Sequence, residues 1–366
     1  MINGSALANV ATTGAITIPL MKKTGYKPEF AAAVEAVAST GGQFAPPIMG
    51  AVGFIMAEFL GVPYTKVMLA AAIPAFLYYL TLLMAVHFEA RKLGLKGLSP
   101  EHIPAAGKVL RERGHLFIPL IVLLALMFTG YTPLFAAIVA IFVTIPVSFL
   151  RRETRMDLKT IVQATVEGSR SAIGVGISCI IIGVIIGSGN MTSLGLNFGN
   201  LILRVVGDGH LFLGGLMVMI MSIILGMGVP GVAAYVIVYV VAVPVLRGVG
   251  ATEMAANMFC LIYACLSNIT PPVAMSSYVA AGIAHSDQTR TSLIAVKLGL
   301  TGFILPFFFL NNPLLLYSSA NPVLATLWAF ATACLGVSAL AAGLQGWLFG
   351  PCNYVMRGLL LVAAFL

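Results

Sequence analysis

Two short stretches hold the residues best suited to bind something. Ser39-Thr40-Gly41-Gly42-Gln43-Phe44-Ala45-Pro46-Pro47 and Leu266-Ser267-Asn268-Ile269-Thr270-Pro271-Pro272 each interrupt a long apolar run with small and polar residues ahead of a proline pair. Proline has no amide hydrogen and disfavours helix in the residue before it. Carbonyls near Gly42 to Ala45 and Ser267 to Thr270 are therefore expected to lose their intrahelical donors. In hydrocarbon each bare carbonyl is costly unless it lines a polar cavity. A monovalent cation ringed by such oxygens meets that need. Pro and Gly also kink membrane helices without binding anything, and two equivalent breaks, each paired with a small-residue turn, argue for the cation.

Other chemistry has little support. There is no His-Glu-x-x-His, no pair of intramembrane Asp residues and no Gly-x-x-x-x-Gly-Lys-[Ser/Thr], so neither an enzyme nor an ATP-driven pump's own ATPase is expected. Cys179, Cys260, Cys265, Cys334 and Cys352 lie in or beside apolar stretches without a Cys-x-x-Cys pair, which implies no disulfide framework or metal centre. No cofactor is implied beyond a coupling ion.

The elements that carry these breaks must sit in a bilayer. Hydrophobic residues make up 60% of 366 positions and charged residues only 9%, against about one-quarter charged in soluble domains, and the mean hydropathy is +1.02. Val67–Phe88, Leu116–Leu150, Ser171–Ser188, Ser292–Leu310 and Leu324–Leu348 are long enough for one or two helical crossings each. The alternating segments of a β-barrel are not seen. An all-α polytopic membrane protein follows. The net charge of +8 is gathered in Lys22–Lys27, in Arg91–Arg113 and in Arg151–Arg170. That is the positive-inside signal, with no need for a nucleic-acid partner.

Threading the chain through those anchors sends Glu29–Leu60 outward, Val67–Phe88 back, and Leu116–Leu150 across twice with a turn at Gly130-Tyr131-Thr132-Pro133. Ser171–Ser188 goes out, leaving Gly187–Gly209 with Asp208 and His210 outside. Leu211–Leu225 is too short for a comfortable span. It ends at Gly226-Met227-Gly228-Val229-Pro230-Gly231, and Val232–Leu246 returns to Arg247, which reads as a re-entrant hairpin. Met254–Ala284 crosses inward. Four segments result: 1–60 with one hairpin arm and the first broken helix, 61–190 with scaffold-type helices and basic loops, 191–284 with the second hairpin and broken helix, and 285–366 with C-terminal membrane helices.

An internal repeat ties the breaks together. At an offset of 225, Pro19 falls on Pro244, Gly25 on Gly250, Ala31 on Ala256, and Pro46-Pro47 on Pro271-Pro272. Asn3-Gly4-Ser5-Ala6 falls on Gly228-Val229-Pro230-Gly231. The basic loops set the two copies in opposite orientations, and inverted repeats around discontinuous helices are a transporter signature. A re-entrant-loop ion channel is the competing class, but it would carry a repeated filter or a ring of charge. An inverted-repeat transporter that needs no binding protein is a further alternative.

At these residues the sequence resembles the large membrane subunit of tripartite ATP-independent periplasmic (TRAP) transporters, in particular the fused permeases that work with TAXI-type binding proteins. The resemblance rests on Asn3–Gly14, Ile18–Tyr26, Gly41-Gly-Gln-Phe-Ala-Pro-Pro-Ile-Met49 and Asn268-Ile-Thr-Pro-Pro272, and spans roughly Met1 to Leu310. It implies an elevator-type, Na⁺-coupled secondary transporter in a bacterial inner membrane. It also implies an extracytoplasmic substrate-binding protein, a small organic anion as substrate, and an upstream portion or small membrane subunit that this stretch lacks. The stretch is accordingly expected to be an N-terminally truncated copy, not self-sufficient for transport. Carried over from the family, a first Na⁺ site falls on Asn3, Ala6, Gly42, Ala45 and Pro47, and a second on Gly228, Gly231, Ser267, Thr270 and Val273. Where many relatives have serines at the first tip, this chain has Asn3 and Ala6, so Ala6 can contribute only its backbone.

Remaining residues carry weaker expectations. Glu35 and Glu253 lie early in the two broken helices, Glu35 near the cytoplasmic interface, and at helix starts an acid complements the dipole. Tyr235, Tyr239 and Asn257 could face substrate, although membrane-helix aromatics more often pack. The 17 Met suit a sliding interface or an ordinary apolar core. Reporters fused after Arg113 or Arg155 should read cytoplasmic, and reporters after Asp208 or Gly248 extracytoplasmic. The same side for both sets would end the inverted arrangement.

Overall fold

The computed structural model describes residues 4–97, 105–193, 197, 211–318 and 321–365, and among these the secondary structure is helical, apart from an isolated bridge between Trp347 and Pro351. Asn3, His102, Asp208 and His210 lie outside the described residues. The helices are α1 (Ala6–Lys23), α2 (Pro28–Gly41), α3 (Gly50–Leu60), α4 (Tyr64–Lys92), α5 (Ala106–Arg113), α6 (Ile118–Phe128), α7 (Pro133–Ser148) and α8 (Leu158–Met191). They continue with α9 (Leu211–Gly226), α10 (Gly231–Gly248), α11 (Glu253–Leu266), α12 (Met275–Ala284), α13 (Gln288–Leu298), α14 (Leu300–Asn311), α15 (Val323–Gln345) and α16 (Tyr354–Ala363).

Four helical stretches among the described residues are long and apolar enough to cross a membrane: Tyr64–Lys92, Gly231–Gly248, Gln288–Asn311 and Val323–Gln345. Large apolar side chains such as Leu324, Trp328 and Leu335 on α15 are exposed, as a membrane-facing helix requires. The described residues thus form an all-helical protein with several helices fit to span a membrane.

Contacts divide the chain into residues 97–181 and the remainder. In the first unit α6 and α7 pair across the turn expected at Gly130–Pro133, where Gly130 has φ +93° and the Thr132 hydroxyl accepts from the Phe135 amide. Their far ends are tied by Arg151 donating to the Arg111 carbonyl at 2.7 Å and by a His115–Thr154 contact at 3.1 Å. The basic group at Arg151–Arg170 is only partly a loop. Helix α8 begins at Leu158, capped by Asp157, whose carboxyl the Thr160 hydroxyl and amide hold below the usual carboxylate range.

In the larger unit the helix bounds repeat. Helices α1 and α10 are each 18 residues and displaced by 225 positions, as are the 14-residue α2 and α11, and α3 and α12 start 225 apart. Both α1 and α10 carry an internal proline, Pro19 and Pro244. Both end in a six-residue cap: Gly25 (φ +106°) and Gly250 (φ +100°) donate to Lys22 and Arg247, while Tyr26 and Ala251 donate to Met21 and Leu246. The left-handed position is why glycine recurs there.

The two copies are interlaced. Helix α12, the second half of the second broken helix, packs on α1 and α2, and Lys22 donates to the Ala284 carbonyl at its end at 2.8 Å. Helix α3, the second half of the first broken helix, packs on α4, α10 and α11. Each broken helix thus spends its second half against the other copy.

Glu35 is buried, 7% exposed, between α1 and α2. It accepts hydrogen bonds from Thr13 and Thr17, each at 2.5 Å, and from Ser39 at 3.4 Å, and Asn9 donates to Ser39 at 2.8 Å. The hydroxyls replace the water that a carboxylate loses on burial. Replacing both Thr13 and Thr17 with Val should lower stability by about 1–3 kcal/mol. Thermal melting of the purified chain in detergent measures it, and an unchanged midpoint would show that the network contributes nothing to holding α1 on α2.

Candidate functional site

Both breaks fold in the same register. Gln43 and Asn268 donate to Thr40 and Cys265, Phe44 and Ile269 to Gly41 and Leu266, and Met49 and Ala274 to Ala45 and Thr270. Each of these bonds falls on its counterpart at the 225 offset. Both proline pairs are joined by cis peptides, and Met49 (φ +52°) and Ala274 (φ +29°) turn the chain into its second helix. These bonds correct one expectation. The carbonyls of Ala45, Ser267, Asn268 and Thr270 are not bare, since each accepts a backbone amide, Asn268 from Ser276 at 3.0 Å. A carbonyl has two lone pairs, so one remains available to a cation.

Tyrosines that the motifs did not single out support the proline pairs. Tyr64 donates to the Pro47 and Ile48 carbonyls, each at 2.8 Å, and Tyr278 to the Pro272 carbonyl at 2.5 Å. Their separations from the prolines differ, by seventeen positions and by six. The repeat gave no signal for them; only the need for a donor did.

Of the residues carried over for the first site, Asn3 lies outside the described residues. Ala6 is buried at the start of α1, with Ser5 as its N-cap, and Gly42, Ala45 and Pro47 form the break after α2. The tip before α1 meets the start of α3 backbone to backbone. A Cβ on Gly4 (φ +61°) would stand 2.3 Å from the Gly50 Cα, so both positions must be glycine.

For the second site, a Cβ on Gly228 (φ +74°) would lie 3.5 Å from Val273 Cγ1, so these two are neighbours. The Ser267 hydroxyl donates to Gly226 in the tip at 2.9 Å and to Ala264 at 2.7 Å. Thr270 sends its hydroxyl hydrogen to Leu266 at 2.8 Å, which leaves the oxygen's lone pairs for a ligand. A Cβ on Gly231 would stand 2.5 Å from Gln43 Nε2 in the first break. The tip of the second copy therefore touches both breaks.

Tyr235 and Asn257 are paired with each other. Tyr235 is fully buried and donates to Asn257 Oδ1 at 2.8 Å, while Tyr239 packs on Phe59 with ring centroids 4.3 Å apart. Glu253 pairs with Arg247 at 3.3 Å. No cluster of three or more His, Cys, Asp or Glu is present among the described residues. The residues carried over for the two sites offer backbone, amide and hydroxyl oxygens and include no carboxylate or imidazole, a set that suits a monovalent cation rather than a transition metal.

Residues 1–324 match the family described as the tripartite ATP-independent periplasmic transporter, DctM component. Similar curated proteins include the isethionate TRAP transporter permease protein DctMQ of Oleidesulfovibrio alaskensis, 25% identical over 313 residues, which are 81% of this chain and 46% of that protein. The uncharacterized protein y4mL of Sinorhizobium fredii is 22% identical over 88% of this chain and 74% of its own length. The uncharacterized protein YgiK of Salmonella typhimurium is 26% identical over 43% of this chain and 36% of its own. The chain spans about half the length of the isethionate permease.

Replacing Tyr64 with Phe removes the donor to the Pro47 and Ile48 carbonyls and should cost about 1–3 kcal/mol. Thermal melting in detergent reads the loss, and an unshifted midpoint would show that the phenol does not support the break.

Proposed function

We propose that this chain, which belongs to the DctM component family of tripartite ATP-independent periplasmic transporters, provides the membrane transport core of a Na⁺-coupled secondary transporter for a small organic anion. In this proposal two cations bind at the paired breaks: one among Asn3, Ala6, Gly42, Ala45 and Pro47, the other among Gly228, Gly231, Ser267, Thr270 and Val273. The substrate arrives from an extracytoplasmic binding protein, a further membrane portion completes the permease, and the assembly works in a bacterial inner membrane. The interlaced core moves as an elevator against the remaining helices.

The single observation that carries the proposal is the duplicated helix, break and helix with matching bounds and hydrogen bonds, each break reached by a small-residue tip. Such discontinuous helices gather carbonyl oxygens for cations and free amide ends for anions at one depth in the membrane. An isethionate permease among the relatives supports an organic anion as cargo, isethionate being a small sulfonate.

Na⁺ should raise the melting midpoint of the purified chain in detergent, and K⁺ at equal ionic strength should not. Thr270→Ala removes one hydroxyl oxygen and should raise the Na⁺ concentration needed for half the effect roughly fivefold to tenfold, about 1–1.4 kcal/mol. Equal stabilisation by both ions, or an unchanged Na⁺ requirement in the variant, would remove the second site.

A further inference from the structure

Gln43 carries an acceptor that nothing in its surroundings uses. Its side chain is 3% exposed, yet Oε1 receives no hydrogen bond among the described residues. The other end of the same carboxamide lies against the backbone of Gly231, where a Cβ would stand 2.5 Å from Nε2. A residue of the first break thus ends at the tip of the second copy, between the two groups of residues assigned to cations.

The repeat provides a comparison within the same molecule. Asn268 occupies the equivalent position and is equally buried, at 3% exposed. Its Nδ2 donates back to the Cys265 carbonyl at 3.1 Å, which engages the shorter amide with its own helix. Gln43 is one methylene longer and makes no such return. Buried side-chain oxygens nearly always have a partner, and this one is left without one where a break meets a tip.

We propose that Gln43 contacts the transported anion and sets its specificity, with Oε1 accepting a hydrogen bond from a hydroxyl or amine that the anion carries. The proposal rests on the organic-anion part of the proposed function but not on Na⁺ coupling. A site built to accept a substrate's donor rejects the analogue that lacks it, because the buried acceptor is then left unpaired. The transported anion would accordingly be a hydroxy or amino acid, or the corresponding sulfonate, in preference to the plain acid.

The test uses the purified full chain in detergent and compares binding, by thermal shift, of malate with succinate, serine with propionate, and isethionate with ethanesulfonate. Wild type should prefer the donor-bearing member of at least one pair by tenfold or more. Gln43→Met, which keeps the length and removes the acceptor, should erase that preference. Should the Met variant fail to fold, Gln43→Asn decides, since its shorter amide cannot reach and the preference should fall there too. No preference in wild type for any pair, including no binding of any member, overturns the proposal, as does a preference that survives the substitution. Recording the Na⁺ response of wild type in the same experiment separates the outcomes: selectivity without a Na⁺ response would sink the sodium coupling and leave Gln43 standing.

Discussion

A backbone that leaves helical geometry inside hydrocarbon must find new partners for its polar groups, and the larger unit is organised around meeting that demand twice. The proline pairs at 46–47 and 271–272 lie between α2 and α3 and between α11 and α12, and keep each helix from running on into the next. Short-range amides engage Ala45, Ser267 and Thr270, tyrosine hydroxyls engage Pro47 and Pro272, and the Ser267 hydroxyl engages the neighbouring tip. What remains is a small set of oxygens with one lone pair free. Oxygens engaged in this way are held in place by the protein itself, unlike a row of wholly unpaired carbonyls.

Burial of Glu35 shows the same logic in a side chain. Its carboxylate sits between α1 and α2 with Thr13, Thr17 and Ser39 donating, so α1 is held to the first broken helix by hydroxyls rather than by a counter-ion. In the second copy the equivalent position is Cys260, fully buried, and apolar packing of α10 on α11 takes over the task. The repeat conserves the backbone path while the two copies use different means to hold it.

The sequence made the backbone path legible because proline and glycine act locally. Pro19 and Pro244, Gly25 and Gly250, and the two proline pairs each constrain φ or remove a donor at their own position, and the helix bounds of the two copies keep the same 225 offset as these residues. The turn at Gly130–Pro133 was readable for the same reason. Long-range pairing was not. Nothing local says that α12 will pack on α1, that Tyr64 will reach back to Pro47, or that Gln43 will end beside Gly231. Glu35 was read as an acid near a helix start because its donors, Thr13 and Thr17, lie on another helix. The start of α8 was missed because a basic, polar segment can be helical outside the membrane, where charge density marks the side and not the structure.

The interlaced halves bear on the order in which the protein is made. Helix α3 leaves the ribosome before two of its neighbours, α10 and α11, which are synthesised only after the intervening helices. Until then α3 carries a face with no partner, and the polar groups at the break before it depend on lipid headgroups, water or insertion machinery for company. Contacts this distant in sequence form late and slowly, since the chain between them must first be ordered. The first break therefore completes its packing only once the second copy has been made.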